Sequence, residues 1–176
     1  MEEFPSLIVF DCDYTLWQFD CDKDHIAPFK NTILGIIDSY GYPVYLYRDV
    51  LQILRLIADA NIPIAFASRN NSAVAIESLL RSIQVQEKKT AWDMMPNSKY
   101  FHAYSRGKNT SGKDLHFTRI KEASSLAYSD MLFFDDKQCN IDAANAMGIT
   151  SILVKGLTMD DFTRGIDTWK RRKRKS

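Results

Sequence analysis

Residues 7–15 read LIVFDCDYT, an apolar run that ends in two aspartates separated by a single residue. Consecutive apolar residues without alternation indicate a strand that is buried on both faces, which we assign to residues 6–11. Residues 62–67 and 131–135 repeat this pattern, and residues 151–154 are predicted as a fourth strand. Strands of this kind are typical of a parallel sheet covered by helices.

Segments with helical spacing of apolar residues separate the strands. They are predicted at residues 50–60, 72–82, 113–127 and 141–147, and Thr158 is the predicted cap of a last helix. The alternation predicts an α/β fold with a doubly wound, Rossmann-like parallel sheet and helices on both faces. We expect one domain over residues 1–169 and a basic tail over residues 170–176.

One small insert follows the first strand. Residues 32–37 and 42–47 are predicted to form a β-hairpin around a turn at residues 38–41, with Pro43 placing the second strand at an edge. No segment is long enough for a large cap domain, so the site should be open. Residues 84–112 give no clear assignment, because proline, asparagine and glycine interrupt every regular pattern.

Polar residues directly follow the predicted buried strands. In parallel α/β sheets ligands bind beyond the carboxyl ends of the strands, so these residues are candidates for function. Residues 11–15 contain two aspartates, residues 68–71 read SRNN, and residues 135–136 are both aspartate. Carboxylates gathered at one edge repel each other, and a divalent cation relieves the repulsion. Because Mg²⁺ prefers oxygen ligands, it is the expected cofactor.

The string FDCDYTLW at residues 10–17 contains a DxDxT motif. It resembles the haloacid dehalogenase-like phosphatases, and in particular the eukaryotic magnesium-dependent phosphatase-1 family. Further matching pieces are ASR at residues 67–69, HF at residues 116–117, FFDD at residues 133–136 and NI at residues 140–141. The resemblance covers residues 7–154, and its specificity lies in the order of these pieces at strand ends. Asn70 departs from the family, which usually has a threonine there.

The resemblance implies an enzyme that hydrolyses phosphate monoesters through an aspartyl phosphate. Asp11 would be the nucleophile, and Asp13 would be the general acid and then the general base. The second aspartate is absent from the dehalogenases proper, so Asp13 favours phosphate chemistry. Ser68 would donate a hydrogen bond to the phosphoryl group, and Cys12 and Arg69 are further expected phosphate-binding residues.

The resemblance also implies the ligands of Mg²⁺. They would be the side chain of Asp11, the carbonyl of Asp13, and the pair Asp135 and Asp136, either of which could be the direct ligand. The phosphate-site lysine has two candidates, Lys99 and Lys113.

Lys113 is the choice here, because it stands at the start of a predicted helix and lies 22 residues before Asp135, enough for one helix and a return to the sheet. Lys99 would then belong to an insertion over residues 100–110.

The open site suits phosphotyrosine-like compounds and sugar phosphates, so the partners are expected to be phosphorylated small molecules or phosphoproteins. The expected class is an acid or protein-tyrosine-phosphatase-like phosphomonoesterase. Five aromatic residues of the insert region could line the entrance or pack the hairpin, and packing is favoured: Trp17, Phe19, Phe29, Tyr45 and Tyr47. The alternatives are a phosphotransferase, which would need a water-excluding lid, and a catalytically idle phosphate- or protein-binding module.

The net charge of +1 conceals a basic C-terminus. When the six basic residues at 170–175 are left out, the rest of the chain has 17 of the 23 basic residues and all 22 acidic residues. Its net charge is therefore about −5. A solvated terminus is favoured over a nucleic-acid, membrane or nuclear import signal.

Three cysteines fit reduced thiols, and no apolar run could span a bilayer, so a cytoplasmic location is expected, with nuclear import as the alternative.

Overall fold

Parallel strands form the centre of the computed structural model, which describes residues 4–105 and 112–175. The strands are β1 (Leu7–Phe10), β2 (Lys30–Thr32), β3 (Gly35–Ile37), β4 (Pro43–Val44), β5 (Ile64–Ser68), β6 (Gln84–Gln86), β7 (Lys89–Thr90), β8 (Phe101–Ala103), β9 (Met131–Asp135) and β10 (Thr150–Leu153). The helices are α1 (Val50–Asp59), α2 (Ala73–Ser82), α3 (Asp114–Ser124), α4 (Gln138–Ala146) and α5 (Met159–Lys173). Short 3₁₀ turns occur at Trp92–Met94, Ser98–Tyr100 and Tyr128–Asp130.

The main sheet has the order β10-β9-β1-β5-β8, and each of its pairs is parallel. β1 and β9 are completely buried, as their unbroken apolar sequences require. Helix α1 packs against α5, and α3 packs against α4, so that the helices cover the sheet in two groups. The predicted doubly wound α/β fold is confirmed.

The strand order places the candidate residues together. The chain passes from β1 to β5 and β8 on one side, and then crosses to β9 and β10 on the other. Phe10 of β1 is in register with Phe66 of β5 and Phe134 of β9. The residues that follow these positions therefore meet at one edge, at the switch point where doubly wound sheets bind ligands.

The insert after β1 is a three-stranded antiparallel sheet in the order β2-β3-β4, one strand more than the predicted hairpin. The predicted strand over residues 32–37 is interrupted by a turn. Gly35 has a φ of +113°, and the Thr32 hydroxyl donates to its carbonyl while accepting from the Leu34 amide. Pro43 lies in the edge strand β4, as predicted.

The segment without a sequence assignment supplies two further features. β6 and β7 form a short hairpin, and β8 joins the main sheet beside β5. Residues 101–103, which the sequence placed in an insertion, are thus part of the central sheet. Residues 106–110 of that predicted insertion lie outside the described part of the chain.

Helix α5 is capped by Thr158, whose hydroxyl accepts from the Asp161 amide, as predicted. Asp49, which directly precedes α1, makes no capping bond there and instead accepts from the Met159 amide at the start of α5. Helix α5 continues into the basic segment, where Arg172 donates to the Ile149 carbonyl and Lys173 pairs with Asp130. No helix in the described ranges combines the length and apolarity needed to cross a bilayer.

Candidate active site

A cleft of about 300 Å³ opens at the carboxyl edge of the main sheet. The side chains around it come from the ends of β1, β5 and β9 and from the segments that follow them. Its lining residues are Asp11, Asp13, Tyr14, Asp20, Lys23, Ser68, Arg69, Asn70, Ser105, Asp136, Lys137 and Asn140. The cleft is strongly polar, although it lies directly above an apolar core.

A buried lysine joins two of the strand ends. The Nζ of Lys113 lies 2.5 Å from Oδ1 of Asp11 and 2.6 Å from Oδ2 of Asp135. Thr15 donates its hydroxyl to the other oxygen of Asp11 at 3.0 Å. Lys113 is 1% exposed and precedes α3, so it has the position that the sequence predicted for the phosphate-site lysine.

Three carboxylates are close enough to share one cation. Asp11, Asp135 and Asp136 each offer an oxygen, and these oxygens lie within 4.8 Å of one another. The pKa of Asp11 is raised to about 7, chiefly by burial; Lys113 acts to lower it, and Asp135 and Asp136 act to raise it. The pKa of Asp136 is also raised, first by burial and then by Asp135. The ammonium of Lys113 contacts two of these carboxylates and only partly offsets their charge, so the cluster fits a divalent cation with oxygen ligands.

Asp135 and Asp136 have different surroundings. Both oxygens of Asp135 accept hydrogen bonds from the Asn140 amide, one also accepts from the Lys137 backbone, and the other contacts Lys113. Asp135 is fully buried, whereas Asp136 is half-buried and lines the cleft. Asp136 is therefore the member of the pair that lines the cleft.

Asp13 is held from both of its oxygens. Oδ1 accepts from the Trp17 indole at 2.7 Å and from the Cys21 amide at 3.0 Å, and Oδ2 accepts from the Asn70 side chain at 2.7 Å. Burial raises the pKa of Asp13, while these three donors act to lower it. The carboxyl group is therefore fixed in orientation and more easily protonated than an exposed aspartate.

Ser68 ends β5 with its side chain at the cleft. Its Oγ accepts from the backbone amide of Asn70 at 3.1 Å, and its carbonyl lies 2.9 Å from Nε2 of His116. Burial lowers the pKa of His116 to about 4, so the ring is neutral at physiological pH. The ring of Tyr104 stacks on His116 with centroids 4.2 Å apart. These contacts fix the end of β5 against α3.

Most of the predicted site residues meet at this cleft. Five of them line it directly: Asp11, Asp13, Ser68, Arg69 and Asp136. Lys113 is buried and contacts both Asp11 and Asp135. Cys12 does not share this position, because its side chain is completely buried in the core.

Lys99 is exposed and borders a separate cavity with His102 and Arg119. The favoured packing role is confirmed for Trp17, Phe19 and Phe29, which are buried.

Sequence reasoning missed several supporting residues. Asn70 was noted only as a departure from a family pattern, and Trp17 only as a packing residue, yet both bind Asp13. Asn140 was quoted as part of a motif, and the structure shows it bonded to Asp135. The available signal was a side chain with an N–H donor shortly after a strand-end motif residue: two positions after Ser68 for Asn70, four after Asp13 for Trp17 and five after Asp135 for Asn140.

Known proteins resemble this chain over nearly its whole length. A family profile described as Acid Phosphatase matches residues 3–172. Magnesium-dependent phosphatase 1 of Homo sapiens is 29% identical over 171 residues, covering 96% of this chain and 89% of the relative. A HAD-like hydrolase superfamily protein of Schizosaccharomyces pombe is 32% identical over 151 residues, covering 84% of each chain.

A solved structure supports the fold independently. A hydrolase of the haloacid dehalogenase superfamily from Ehrlichia chaffeensis superposes with a TM-score of 0.60 at 13% identity. The match covers 97% of this chain and 100% of the other. The chain therefore belongs to the acid phosphatase family, and it is a phosphatase of the haloacid dehalogenase-like superfamily.

Proposed function

We propose that this chain is a magnesium-dependent phosphomonoesterase in which Asp11 is the nucleophile. The observation that carries the proposal is the position of Asp11, whose carboxylate borders the cleft between Lys113, Thr15 and the pair Asp135 and Asp136. A carboxylate attacks a phosphate ester only when nearby cations and donors offset the charge of the ester. Asp11 has these neighbours.

The metal would be held by the side chains of Asp11 and Asp136 and by the carbonyl of Asp13. When bound, Mg²⁺ would offset the negative charge of the phosphoryl group and of the carboxylates. Asp135 has a different role, because its oxygens are occupied by Lys113, Asn140 and a backbone amide. It positions the ammonium of Lys113 against Asp11, and that ammonium offsets charge on the transferring phosphoryl group.

Asp13 would move the protons. The Asp11 carboxylate forms a bond to phosphorus while the bond to the leaving oxygen breaks, and Asp13 gives its proton to that oxygen. Asp13 then accepts a proton from the water that attacks the aspartyl phosphate, which releases inorganic phosphate, restores the Asp11 carboxylate and leaves Asp13 protonated again. Ser68 would donate its hydroxyl to a phosphoryl oxygen, and Arg69, at the cleft wall, would contribute positive charge.

The substrate class follows from the open cleft. The described part of the insert is a small sheet of three short strands, far smaller than a cap domain. We expect phosphotyrosine-like compounds and sugar phosphates to reach Asp11 from solvent, and the same access admits phosphorylated side chains of proteins. A cleft that is open to water favours hydrolysis over transfer to another alcohol.

Replacement of Asp11 tests this function. Asp11→Asn keeps the shape of the side chain but removes the attacking charge, so hydrolysis of 4-nitrophenyl phosphate in Mg²⁺ should fall to background. The circular dichroism spectrum should stay unchanged, which separates loss of chemistry from loss of fold. Chelation should silence the unmodified chain, and added Mg²⁺ should restore it. Turnover near the normal rate by a folded Asp11→Asn protein would exclude Asp11 as the nucleophile.

A further inference from the structure

Tyr14 has an unusual backbone conformation. Among the described residues, three non-glycine residues have φ in the left-handed region, namely Tyr14 at 58°, Asn61 at 53° and Ser125 at 58°. Asn61 follows the end of α1 and Ser125 caps the end of α3, where small polar residues often adopt this conformation. Tyr14 instead lies directly after Asp13 and before Thr15. It is part of a tight turn in which the backbone amides of Thr15 and Leu16 donate to the Cys12 carbonyl.

Folding does not account for an aromatic residue at this position. A side chain with a Cβ is strained in the left-handed region, whereas glycine is not. Burial of the ring could compensate for the strain, but Tyr14 is 42% exposed. Its neighbours in the motif, Cys12 and Thr15, are fully buried. Residues kept in a strained conformation at the edge of an active site often serve its function.

Tyr14 lines the cleft together with Asp11 and Asp13. The leaving group of a phosphate ester has to lie in this cleft when phosphorus is at Asp11, so the exposed ring of a lining residue is a candidate contact for it. Three other polar side chains of the wall are already engaged with one another. Asp20 pairs with Lys23 and accepts from Asn70, which also binds Asp13. These groups are poorly available for the hydroxyls of a sugar, whereas an exposed ring offers a flat apolar face.

We infer that Tyr14 is a specificity-determining residue whose ring contacts planar leaving groups, so that it favours aryl over alkyl phosphate esters. The inference rests on the proposed function, because it takes phosphorus to be at Asp11. Contact between two rings contributes about 0.5–1.5 kcal/mol, which corresponds to roughly a 2- to 12-fold difference in affinity. The contact of this ring with the leaving group is therefore the reason for a strained aromatic residue at the mouth of the cleft.

Kinetics of Tyr14 variants on two esters test the inference. The ratio of kcat/KM for 4-nitrophenyl phosphate to that for glycerol 2-phosphate should fall roughly 5- to 10-fold in Tyr14→Gly and Tyr14→Asn. Both replacements tolerate the left-handed backbone but lack the ring. Tyr14→Phe should keep the ratio, because it retains the ring. Tyr40→Asn is the matched control, since Tyr40 is an exposed tyrosine in the turn between β3 and β4.

Two further measurements separate the possible outcomes. In Mg²⁺, phenylphosphonate should bind the unmodified chain more tightly than methylphosphonate, and Tyr14→Gly should remove the difference. The melting temperature of Tyr14→Gly should be unchanged or higher, because strain is relieved. An unchanged ester ratio in Tyr14→Gly, an equal loss in Tyr14→Phe, or a much lower melting temperature of Tyr14→Gly would overturn the inference. If the unmodified chain hydrolysed neither ester, the proposed function itself would fail.

Discussion

At the scale of single residues, the charge balance of the cleft is the feature that most constrains its chemistry. Asp11, Asp135 and Asp136 carry three negative charges when ionised, and the contacting cation is Lys113. Two negative charges remain, and a bound Mg²⁺ would offset them. A phosphate ester brings further negative charge, so each cation beside it affects the barrier.

Loss of Lys113 should therefore nearly abolish activity. In a site with little water, removing one such charged partner typically costs a few kcal/mol, on the order of 10²-fold or more in rate. We expect this loss in Lys113→Ala, whereas Lys99→Ala should stay within about twofold of normal, because Lys99 is exposed and borders a different cavity. Initial rates on an aryl phosphate measure both.

Lys113→Ala also leaves two buried carboxylates without their cation, so it should unfold more easily. Rates should be compared in Mg²⁺ at a temperature where circular dichroism shows both variants folded. A folded Lys113→Ala protein with ordinary activity would contradict the assignment of the phosphate-site lysine.

Asn70 offers a test of how Asp13 is positioned. The side-chain amide of Asn70 donates to Oδ2 of Asp13 at 2.7 Å. Loss of one hydrogen bond to a charged group costs about 1.5–3 kcal/mol, so kcat of Asn70→Ala should fall roughly 10-fold or more, with little change in KM. Asn70→Thr should recover part of kcat, because the hydroxyl can donate in place of the amide. Equal kcat values for Asn70→Ala and the unmodified chain would show that Trp17 and Cys21 suffice to orient Asp13.

The residues that were predictable from sequence differ physically from those that were not. Asp11, Ser68 and Asp135 were found because each directly follows or ends a buried apolar run. The bond between Asn70 and Asp13 joins residues 57 positions apart and depends on how the two loops fold. A loop conformation of this kind leaves no periodic signal, so the contact required the structure.

At the scale of elements, the junction between the loop and α3 determines where Lys113 lies. Gly112 has a φ of +80° directly before Lys113, and it packs against α4. A Cβ at this position would lie 2.5 Å from the Cβ of Ala143. The glycine thus permits both the turn and the close approach of α3 to α4.

Gly112→Ala should therefore reduce stability and activity together. A left-handed alanine costs roughly 1–2 kcal/mol, and the clash with Ala143 adds about 1–3 kcal/mol. Gly41→Ala is the matched control, because Gly41 has a φ of +86° but no atom within 4 Å of the added methyl group. Urea unfolding should show the larger loss for Gly112→Ala, and phosphatase rates should fall in that variant alone. Equal losses in the two variants would rule out the packing argument.

The elements themselves were predicted unevenly, and length explains the difference. β1, β5 and β9 are unbroken buried runs, and α1 and α5 present clear apolar faces, so all five were predictable. β8 has three residues and lies at the edge of the sheet, where among the described strands it pairs with β5 alone. The turn between β2 and β3 depends on Gly35 and on hydrogen bonds of Thr32 within four residues. Features this short carry little hydrophobic pattern.

At the scale of the whole molecule, the site exists only when the fold is complete. Lys113 and Asp11 are 102 residues apart in sequence, and Lys113 and Asp135 are 22 apart. Folding thus concentrates carboxylates that are well separated in the unfolded chain. A cation that binds only the folded state stabilises it by mass action, so Mg²⁺ should raise the melting temperature.

Protonation of Asp11 competes with this binding. Burial raises the pKa of Asp11 from 3.8 to about 7 in the metal-free protein. Because the folded pKa lies above the unfolded one, the stability linked to this proton is fully present below about pH 3.8 and is lost as the pH rises through about 7. Mg²⁺ requires the ionised carboxylate, so the cation replaces the proton as the pH rises.

The increase in melting temperature at a fixed, subsaturating Mg²⁺ concentration should therefore grow with pH. Below about pH 7 the affinity should rise up to about tenfold per pH unit, because each bound ion displaces up to one proton from Asp11. Thermal unfolding with and without Mg²⁺, at about pH 5.5 and about pH 7.5, measures the effect. Asp11→Asn removes the titrating group, so any remaining Mg²⁺ effect should depend less on pH, with the raised pKa of Asp136 as the residual source. An Mg²⁺ effect that is larger at the lower pH, or one with the same pH dependence in Asp11→Asn, would mean that the cation does not bind at Asp11.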